Sequence, residues 1–268
     1  MFYSLASCGG QAGVMVDRRR CRGCGTEMRG LRSREHILPQ WLYPFIEMPG
    51  VSLEHRAVNE EGVRLLRSHD LKSFALNSIC TRCNNGWMSR LETEAKPILV
   101  PLIIGKRSAQ SLSADERTVL ARWAFKTAFM ILTVQKTESV PWNLFEDWAV
   151  AGAGAPDPAV IFALSDIQST QGFGYLTESD DLDDSPVHPV NLRVSLCIRS
   201  LLLVILLPLD NKGRVPGKGH VLYELLWPLN IETIYRPTDV GPEINRTYGD
   251  FIKYLAGFAH AGIQSRSL

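Results

Sequence analysis

The sequence has no long apolar run and no basic leader followed by one. Its most apolar stretch, residues 200–209, is too short to cross a bilayer and predicts a buried strand instead. The lack of a secretory leader favours a cytoplasmic protein with no membrane partner. The chain also has no excess of one charge, because 29 Lys and Arg balance 28 Asp and Glu among its 268 residues. Together these absences predict a globular protein with an ordinary core.

Cysteine is scarce, with six in the chain, but four of the six form two tight pairs, Cys21-x-x-Cys24 and Cys80-x-x-Cys83. In a reducing compartment such pairs favour a metal over a disulfide. Two pairs separated by tens of residues predict one tetrahedral Zn²⁺ site, and four thiolates leave no open position for water. The predicted zinc is therefore structural. A redox pair or two ordinary buried pairs are the alternatives.

The positive charges are concentrated in the first part of the chain. Residues 1–110 carry 16 Lys and Arg against 10 Asp and Glu, whereas residues 111–268 carry 13 against 18. Zinc on four thiolates reduces the first excess by two but keeps its sign. A basic first part predicts contact with a polyanion such as DNA. The candidate phosphate contacts, for which a solvated basic face is the alternative, are Arg18, Arg19, Arg20, Arg22, Arg32 and Arg34.

Hydrophobic periodicity predicts an α+β protein in two parts. In the first part, residues 1–105, alternation over residues 51–68 predicts a β-hairpin, and helical spacing over 84–96 predicts a helix that ends before Pro97. In the second part, residues 106–268, Ser113 and Glu116 predict a capping box. The helix that follows the box extends to about Val134, a short helix covers residues 142–150, and strands lie near 190–198, 200–208 and 219–227.

Three residues near the cysteine pairs match the needs of phosphodiester hydrolysis. Water must lose a proton, for which the neutral imidazole of His36 is suitable. A hard divalent cation such as Mg²⁺ stabilises the phosphate and the leaving oxygen, and it prefers oxygen ligands. Glu35 and Asn84 supply a carboxylate and an amide oxygen. A zinc site that joins the two cysteine pairs would bring these segments together.

The pattern Cys-x-x-Cys, Glu-His-Ile-x-Pro, Cys-x-x-Cys-Asn resembles the His-Asn-His endonucleases of the ββα-metal class, over residues 18–97. The run Cys83–Glu92 is similar to that of a bacterial and phage subgroup of this family. The resemblance implies a DNA-cutting hydrolase with His36 as general base. It also implies Glu35 and Asn84 as ligands of the catalytic cation and the four cysteines as ligands of a structural zinc.

The sequence departs from the family pattern in two places. The middle Asn of the signature has only an imperfect counterpart, Asn77, and the predicted hairpin enlarges the segment between the pairs. Asn84 could instead cap the helix, which leaves Asn85 as the fallback ligand. Glu92 could face the cation, but a solvated or salt-bridged side chain is favoured.

Two other function classes stay open: a non-catalytic, zinc-stabilised nucleic-acid-binding module, and a redox or metal sensor that uses the cysteines.

Overall fold

The computed structural model describes part of the chain, and the account below concerns these residues alone. They are residues 2–4, 20–46, 53–59, 62–135, 145, 148, 160–164, 173–180, 191–208 and 224–227. Arg18, Arg19, most of the predicted short helix at 142–150 and the first part of the predicted strand at 219–227 lie outside them. The described part is a mixture of helices and sheets, so the predicted α+β class is confirmed.

Ten strands and four α-helices have bounds within the described ranges. The strands are β1 (Phe2–Ser4), β2 (Arg32–His36), β3 (Leu53–Asn59), β4 (Gly62–His69), β5 (Ala75–Cys80), β6 (Val160–Leu164), β7 (Phe173–Asp180), β8 (Asn191–Ile198), β9 (Leu201–Pro208) and β10 (Glu224–Trp227). The helices are α1 (Tyr43–Ile46), α2 (Thr81–Cys83), α3 (Ser89–Ile103) and α4 (Ala114–Gln135). The predicted hairpin is confirmed as β3–β4. The predicted strand at 200–209 is confirmed as β9, whose Leu201, Leu202, Leu203 and Ile205 are buried.

A small antiparallel sheet carries Glu35 and His36 on one of its two strands. Strands β2 and β5 pair from Arg32 with Cys80 to His36 with Ala75. Two steps along β2, from Ser33 to Glu35, match three steps along β5, so β5 contains one extra residue in a bulge. The bulge lies opposite Arg34.

The helix after β5 begins one residue past the sheet and extends further than the sequence predicts. A π-turn over Asn84–Met88 separates α2 from α3, and Gly86 in it has non-helical backbone angles. The prediction that the helix ends before Pro97 is wrong, because α3 contains Pro97 and Pro101 and ends at Ile103. Each proline removes one helical hydrogen bond, but the residues beyond Pro97 are mostly buried against the core. Those buried residues are Ile98, Leu99, Leu102 and Ile103.

Eight strands form a second, mixed sheet in the order β10-β6-β9-β8-β7-β1-β3-β4. Strand β1 is parallel to both of its neighbours, β3 and β7, and the other pairs are antiparallel. The sheet therefore contains strands from both sides of the boundary predicted near residue 106. The division of the chain into two domains stays a prediction.

Helix α4 forms the centre of the core. It packs against α3 and contacts β5 of the small sheet as well as β6, β9 and β10 of the large one. The predicted capping box is confirmed, because the Ser113 amide donates to Glu116 Oε2 at 2.9 Å and the Glu116 amide donates to Ser113 Oγ at 3.3 Å. Every residue from Leu120 to Leu132 except Arg122 is buried. The interior of this helix includes a lysine, Lys126, that is fully buried.

Candidate metal centre and histidine cleft

The four paired cysteines lie together, as the sequence predicts. The sulfurs of Cys21, Cys24, Cys80 and Cys83 all lie within 4.8 Å of one another, and none of the four cysteines forms a disulfide. Around a tetrahedral zinc the sulfur–sulfur separation is about 3.8 Å. The Sγ atoms of Cys24 and Cys80 are already 3.8 Å apart. The cluster could therefore hold a metal ion such as zinc after a small contraction.

Backbone amides surround the sulfurs and hold both cysteine turns in place. The amides of Gly23 and Cys80 donate to Cys21 Sγ at 3.3 and 3.2 Å, and the Cys83 amide donates to Cys80 Sγ at 3.5 Å. Such donors stabilise thiolate charge. A side chain at Gly23 would place its Cβ 3.3 Å from Cys83 Sγ, so this close approach favours glycine.

Three of the four thiols have pKa values shifted by burial and by their neighbours. A hydrogen bond with Cys83 is the main cause that lowers the pKa of Cys21 to about 5. The same interaction raises the pKa of Cys83, and burial raises the pKa of Cys80. A bound Zn²⁺ would lower the pKa of each ligand thiol, because its charge favours the thiolate.

Glu35, the predicted ligand of a catalytic cation, already has a cationic partner. It is 5% exposed, and its Oε1 accepts a hydrogen bond from Lys126 Nζ at 3.2 Å. The same ammonium donates to Glu92 Oε1 at 2.6 Å. One fully buried lysine of α4 thus joins a carboxylate of β2 to a carboxylate of α3. Glu92 is salt-bridged, as the sequence analysis favoured.

Lys126, Glu35 and Glu92 form an ion-pair cluster. Burial and charge shift the pKa values of Lys126 and Glu35 in opposite directions. Burial lowers the pKa of Lys126, but attraction to Glu92 and Glu35 outweighs burial and the net shift is upward. Burial raises the pKa of Glu35, and the opposing attraction to Lys126 offsets only part of that rise. Lys126 therefore keeps its positive charge at neutral pH, in an environment that excludes water.

His36 lies in an open cleft of about 380 Å³ next to this cluster. The cleft is lined by His36, Gln40, Tyr43, Pro44 and Lys72. Nδ1 of His36 is 3.1 Å from the Tyr43 hydroxyl oxygen. Because Nδ1 is occupied by this bond, Nε2 is the ring nitrogen available to a substrate. A cleft that combines an imidazole with the cationic Lys72 is suited to an anionic substrate.

The environment of His36 favours a neutral imidazole. Burial is the main cause that lowers the pKa of His36, and the positive charge of Arg34 lowers it further. Glu92 opposes both effects but does not reverse them. A neutral ring at physiological pH can accept a proton, as the general-base role requires.

The three asparagines occupy different positions relative to the cleft. Asn77 is exposed on β5 at the bulge opposite Arg34, and its side chain makes no hydrogen bond to another described residue. Asn84 is half-buried at the start of the π-turn, next to the cysteine cluster, and Asn85 is exposed. Within the described ranges, no hydrogen bond links Asn84 to Glu35 or His36. Among His, Cys, Asp and Glu side chains there, the four cysteines form the only group close enough to hold a metal.

Four of the arginines predicted to contact phosphate lie in the described ranges, where Arg20, Arg32 and Arg34 are exposed and Arg22 is half-buried. Arg20 is exposed and donates to the Gly25 carbonyl at 3.3 Å, and Arg34 is exposed on β2. Arg22 is half-buried, and its amide donates to the Ser78 carbonyl at 2.9 Å, which ties the first cysteine turn to β5. Arg20 and Arg34 thus present charge at the surface, whereas Arg22 has a structural contact as well.

Sequence reasoning missed two residues of this region, Lys126 and Tyr43. Lys126 lies in an apolar helical pattern, where a lone lysine is the only signal that a buried anion faces it. Tyr43 lies seven residues after His36 in a short aromatic segment. That spacing gives no periodic signal, because a bend and a 3₁₀ turn intervene.

No match to this chain was found among models of protein families, curated proteins or solved structures. In the described ranges, no helix combines the length and apolar character needed to cross a lipid bilayer.

Proposed function

We propose that the chain is a metal-dependent endonuclease of the His-Asn-His type that hydrolyses phosphodiester bonds in DNA. The observation that carries the proposal is the position of His36. It lies at one end of β2, in an open cleft, while the cysteine cluster lies at the other end of the β2–β5 pair. A helix follows β5 directly, which gives the order strand, strand, helix that the resembled family implies. DNA is the proposed partner.

The chemistry assigned to the chain itself is proton transfer at His36. Nε2 of the neutral imidazole accepts a proton from water as the water oxygen bonds to phosphorus. The bond from phosphorus to the 3′-oxygen breaks, and the departing oxygen takes up a proton from solvent. The exposed charge of Lys72 in the cleft wall and of Arg34 on β2 offers two phosphate contacts.

A catalytic divalent cation such as Mg²⁺ would stabilise charge on the phosphate and the leaving oxygen. The oxygen donors of Glu35 and Asn84 suit such a cation by chemistry. The position of Glu35 suits it less, because Lys126 already compensates its charge at 3.2 Å. A divalent ion at this carboxylate must share it with Lys126. The second proposed metal, zinc on the four cysteines, would have the structural role of joining residues 21–24 to residues 80–83.

The decisive experiment compares plasmid cleavage by the wild-type chain and by a His36→Ala variant, in Mg²⁺ or Mn²⁺ and then in EDTA. We expect nicking or cutting by the wild type alone, and none in EDTA. His55→Ala is the matched control, because His55 lies in the β3–β4 hairpin rather than in the small sheet. Zinc content and the thermal unfolding midpoint verify that His36→Ala folds. Cleavage by folded His36→Ala protein at the wild-type rate would reject the proposal.

One observation favours a second function, a zinc-stabilised nucleic-acid-binding module without catalysis. The buried pairing of Glu35 with Lys126 makes this carboxylate a structural element, and a binding module needs no free ligand there. The same plasmid experiment separates the two. Retarded migration in a gel at every metal condition, with no nicked product, would favour the binding module.

A further inference from the structure

The chain after β2 brings Tyr43, the first residue of α1, into contact with His36 in the cleft. Tyr43 is 7% exposed, and its hydroxyl lies 3.1 Å from Nδ1 of His36. The two rings meet edge to face, with centroids 6.2 Å apart and an interplanar angle of 80°. The contact is thus both a hydrogen bond and a packing contact. It defines where the imidazole plane lies relative to the cleft.

Several backbone contacts fix this geometry. The Ile37 amide donates to the Phe74 carbonyl at 3.1 Å, which anchors the chain just past His36 to the start of β5. The Leu42 amide donates to the Pro39 carbonyl at 2.9 Å and closes the 3₁₀ turn that leads into α1. Tyr43 is the first residue of α1. Both partners of the hydrogen bond are therefore attached to backbone that other hydrogen bonds hold.

A neutral imidazole carries one N–H, and the nitrogen that carries it determines what the other nitrogen can do. If Nδ1 carries the proton, the Tyr43 oxygen accepts it and Nε2 has a free lone pair. If Nε2 carries the proton, Tyr43 donates to Nδ1 and the cleft-side nitrogen cannot accept a proton from water. Only the first arrangement is compatible with His36 as a general base.

We propose that Tyr43 is the positioning residue of His36: its hydroxyl oxygen accepts the hydrogen bond from Nδ1–H and leaves Nε2 unprotonated. The inference rests on the proposed function for its catalytic consequence. It gives the positioning of the base to Tyr43 rather than to Asn77, the imperfect counterpart of the signature's middle Asn. Asn77 is exposed at the bulge of β5, whereas Tyr43 makes the contact directly.

The direct test is the tautomer of His36, measured by long-range ¹H–¹⁵N NMR on full-length protein with ¹⁵N-labelled histidine, at a pH where the ring is neutral. His36→Ala identifies the His36 signals among those of the six histidines. We expect the Nδ1–H form in the wild type and a shift toward the Nε2–H form in Tyr43→Phe. Phe45→Leu is the control for altered packing, because Phe45 is a half-buried residue of the same helix. We expect it to leave the tautomer unchanged. An Nε2–H wild type, or an unchanged tautomer in Tyr43→Phe, would overturn the proposal.

Cleavage kinetics supply the second readout. Tyr43→Phe should lower kcat roughly fivefold, the factor that one ordinary hydrogen bond supplies, and leave KM near its wild-type value. A fall in kcat together with a rise in KM would indicate a cleft that has lost its shape and would count against a positioning role. The tautomer is measured without substrate. A failure of the nuclease proposal, seen as cleavage by His36→Ala, is therefore distinguishable from a failure of this one.

Discussion

The side-chain nitrogen of Lys126 lies 3.2 Å from Oε1 of Glu35, although the two residues are 91 positions apart in the chain. Both side chains are buried, and the same nitrogen binds Glu92. One charge therefore connects β2, α3 and α4 directly behind the residue that we propose as the catalytic base. A buried cation between two carboxylates is costly to disturb, because removal of one partner leaves charge without compensation.

Lys126→Met removes the ammonium and keeps most of the side-chain volume. We expect it to lower the free energy of unfolding by about 3 kcal/mol or more, because Glu35 and Glu92 lose their shared cation. Urea denaturation followed by circular dichroism measures this quantity. Lys106→Met is the matched control, because Lys106 is exposed in the turn after α3, and it should change stability little. A loss below 1 kcal/mol for Lys126→Met would show that the ion-pair cluster adds little to folding.

Cys83→Ser removes one ligand of the proposed zinc site. Metal analysis of purified wild-type protein should give about one zinc per chain, and the variant should lose zinc and its cooperative unfolding transition. Cys197→Ala is the control, because Cys197 is buried in β8 outside the cluster and should leave the zinc content unchanged. Stable, zinc-free wild-type protein would contradict a structural metal at these cysteines.

The pH dependence of cleavage should respond to Arg34. Burial first, and Arg34 second, lower the pKa of His36, so the base is neutral through the physiological range. Loss of the positive charge in Arg34→Gln raises this pKa, and the acidic limb of the log kcat/KM profile moves to higher pH. Arg32→Gln tests for a general loss of positive charge, because Arg32 is exposed on the same strand but is not among the causes of the shift. An acidic limb that stays in place in Arg34→Gln would contradict this account.

Glu116→Gln tests the start of α4. The hydrogen bond from Arg107 is the main cause that lowers the pKa of Glu116 to about 2 from an ordinary 4.5. A depressed carboxylate pKa contributes stability above the unfolded pKa, and that stability is lost as pH falls from about 4.5 toward 2. The variant should be less stable by about 1 kcal/mol near pH 7, the usual worth of a capping interaction.

Below about pH 2 the wild type and Glu116→Gln should converge, because protonation has the same effect as the substitution. Thermal unfolding between pH 7 and pH 2 measures both the difference near neutrality and the convergence. Asp115→Asn is the control, since Asp115 is exposed in the same first turn. A stability difference that is constant with pH would show that the charge of Glu116 is irrelevant.

Local patterns in the sequence predicted the parts of the fold that depend on neighbouring residues. Alternation predicted the β3–β4 hairpin, and the spacing of Ser113 and Glu116 predicted the cap of α4. The Cys-x-x-Cys spacing predicted which four sulfurs meet. Each of these signals comes from a short pattern that few local structures satisfy: alternating apolar residues, a serine and a glutamate three positions apart, or closely paired cysteines.

Long-range contacts carried no such signal. The extension of α3 through Pro97 depends on burial against α4, which outweighs a hydrogen bond that the sequence shows to be missing. The pairing of Lys126 with Glu35 depends on how a helix lies across a strand. Glu35 was predicted to be a free ligand because its partner Lys126 lies 91 positions away, and no local pattern links the two residues.

The order in which the chain leaves the ribosome gives the Lys126 contact a further consequence. Residues 21–103, which contain both cysteine pairs and α3, emerge before α4 does. Until Lys126 emerges, Glu35 and Glu92 have no ammonium between them, and the apolar side of α3 has no α4 to cover it. A metal ion could join the cysteine turns at that stage, but the carboxylates of Glu35 and Glu92 gain their shared ammonium only when α4 docks. The ion-pair cluster next to the proposed base would thus be completed late in synthesis, after both strands of the small sheet have been made.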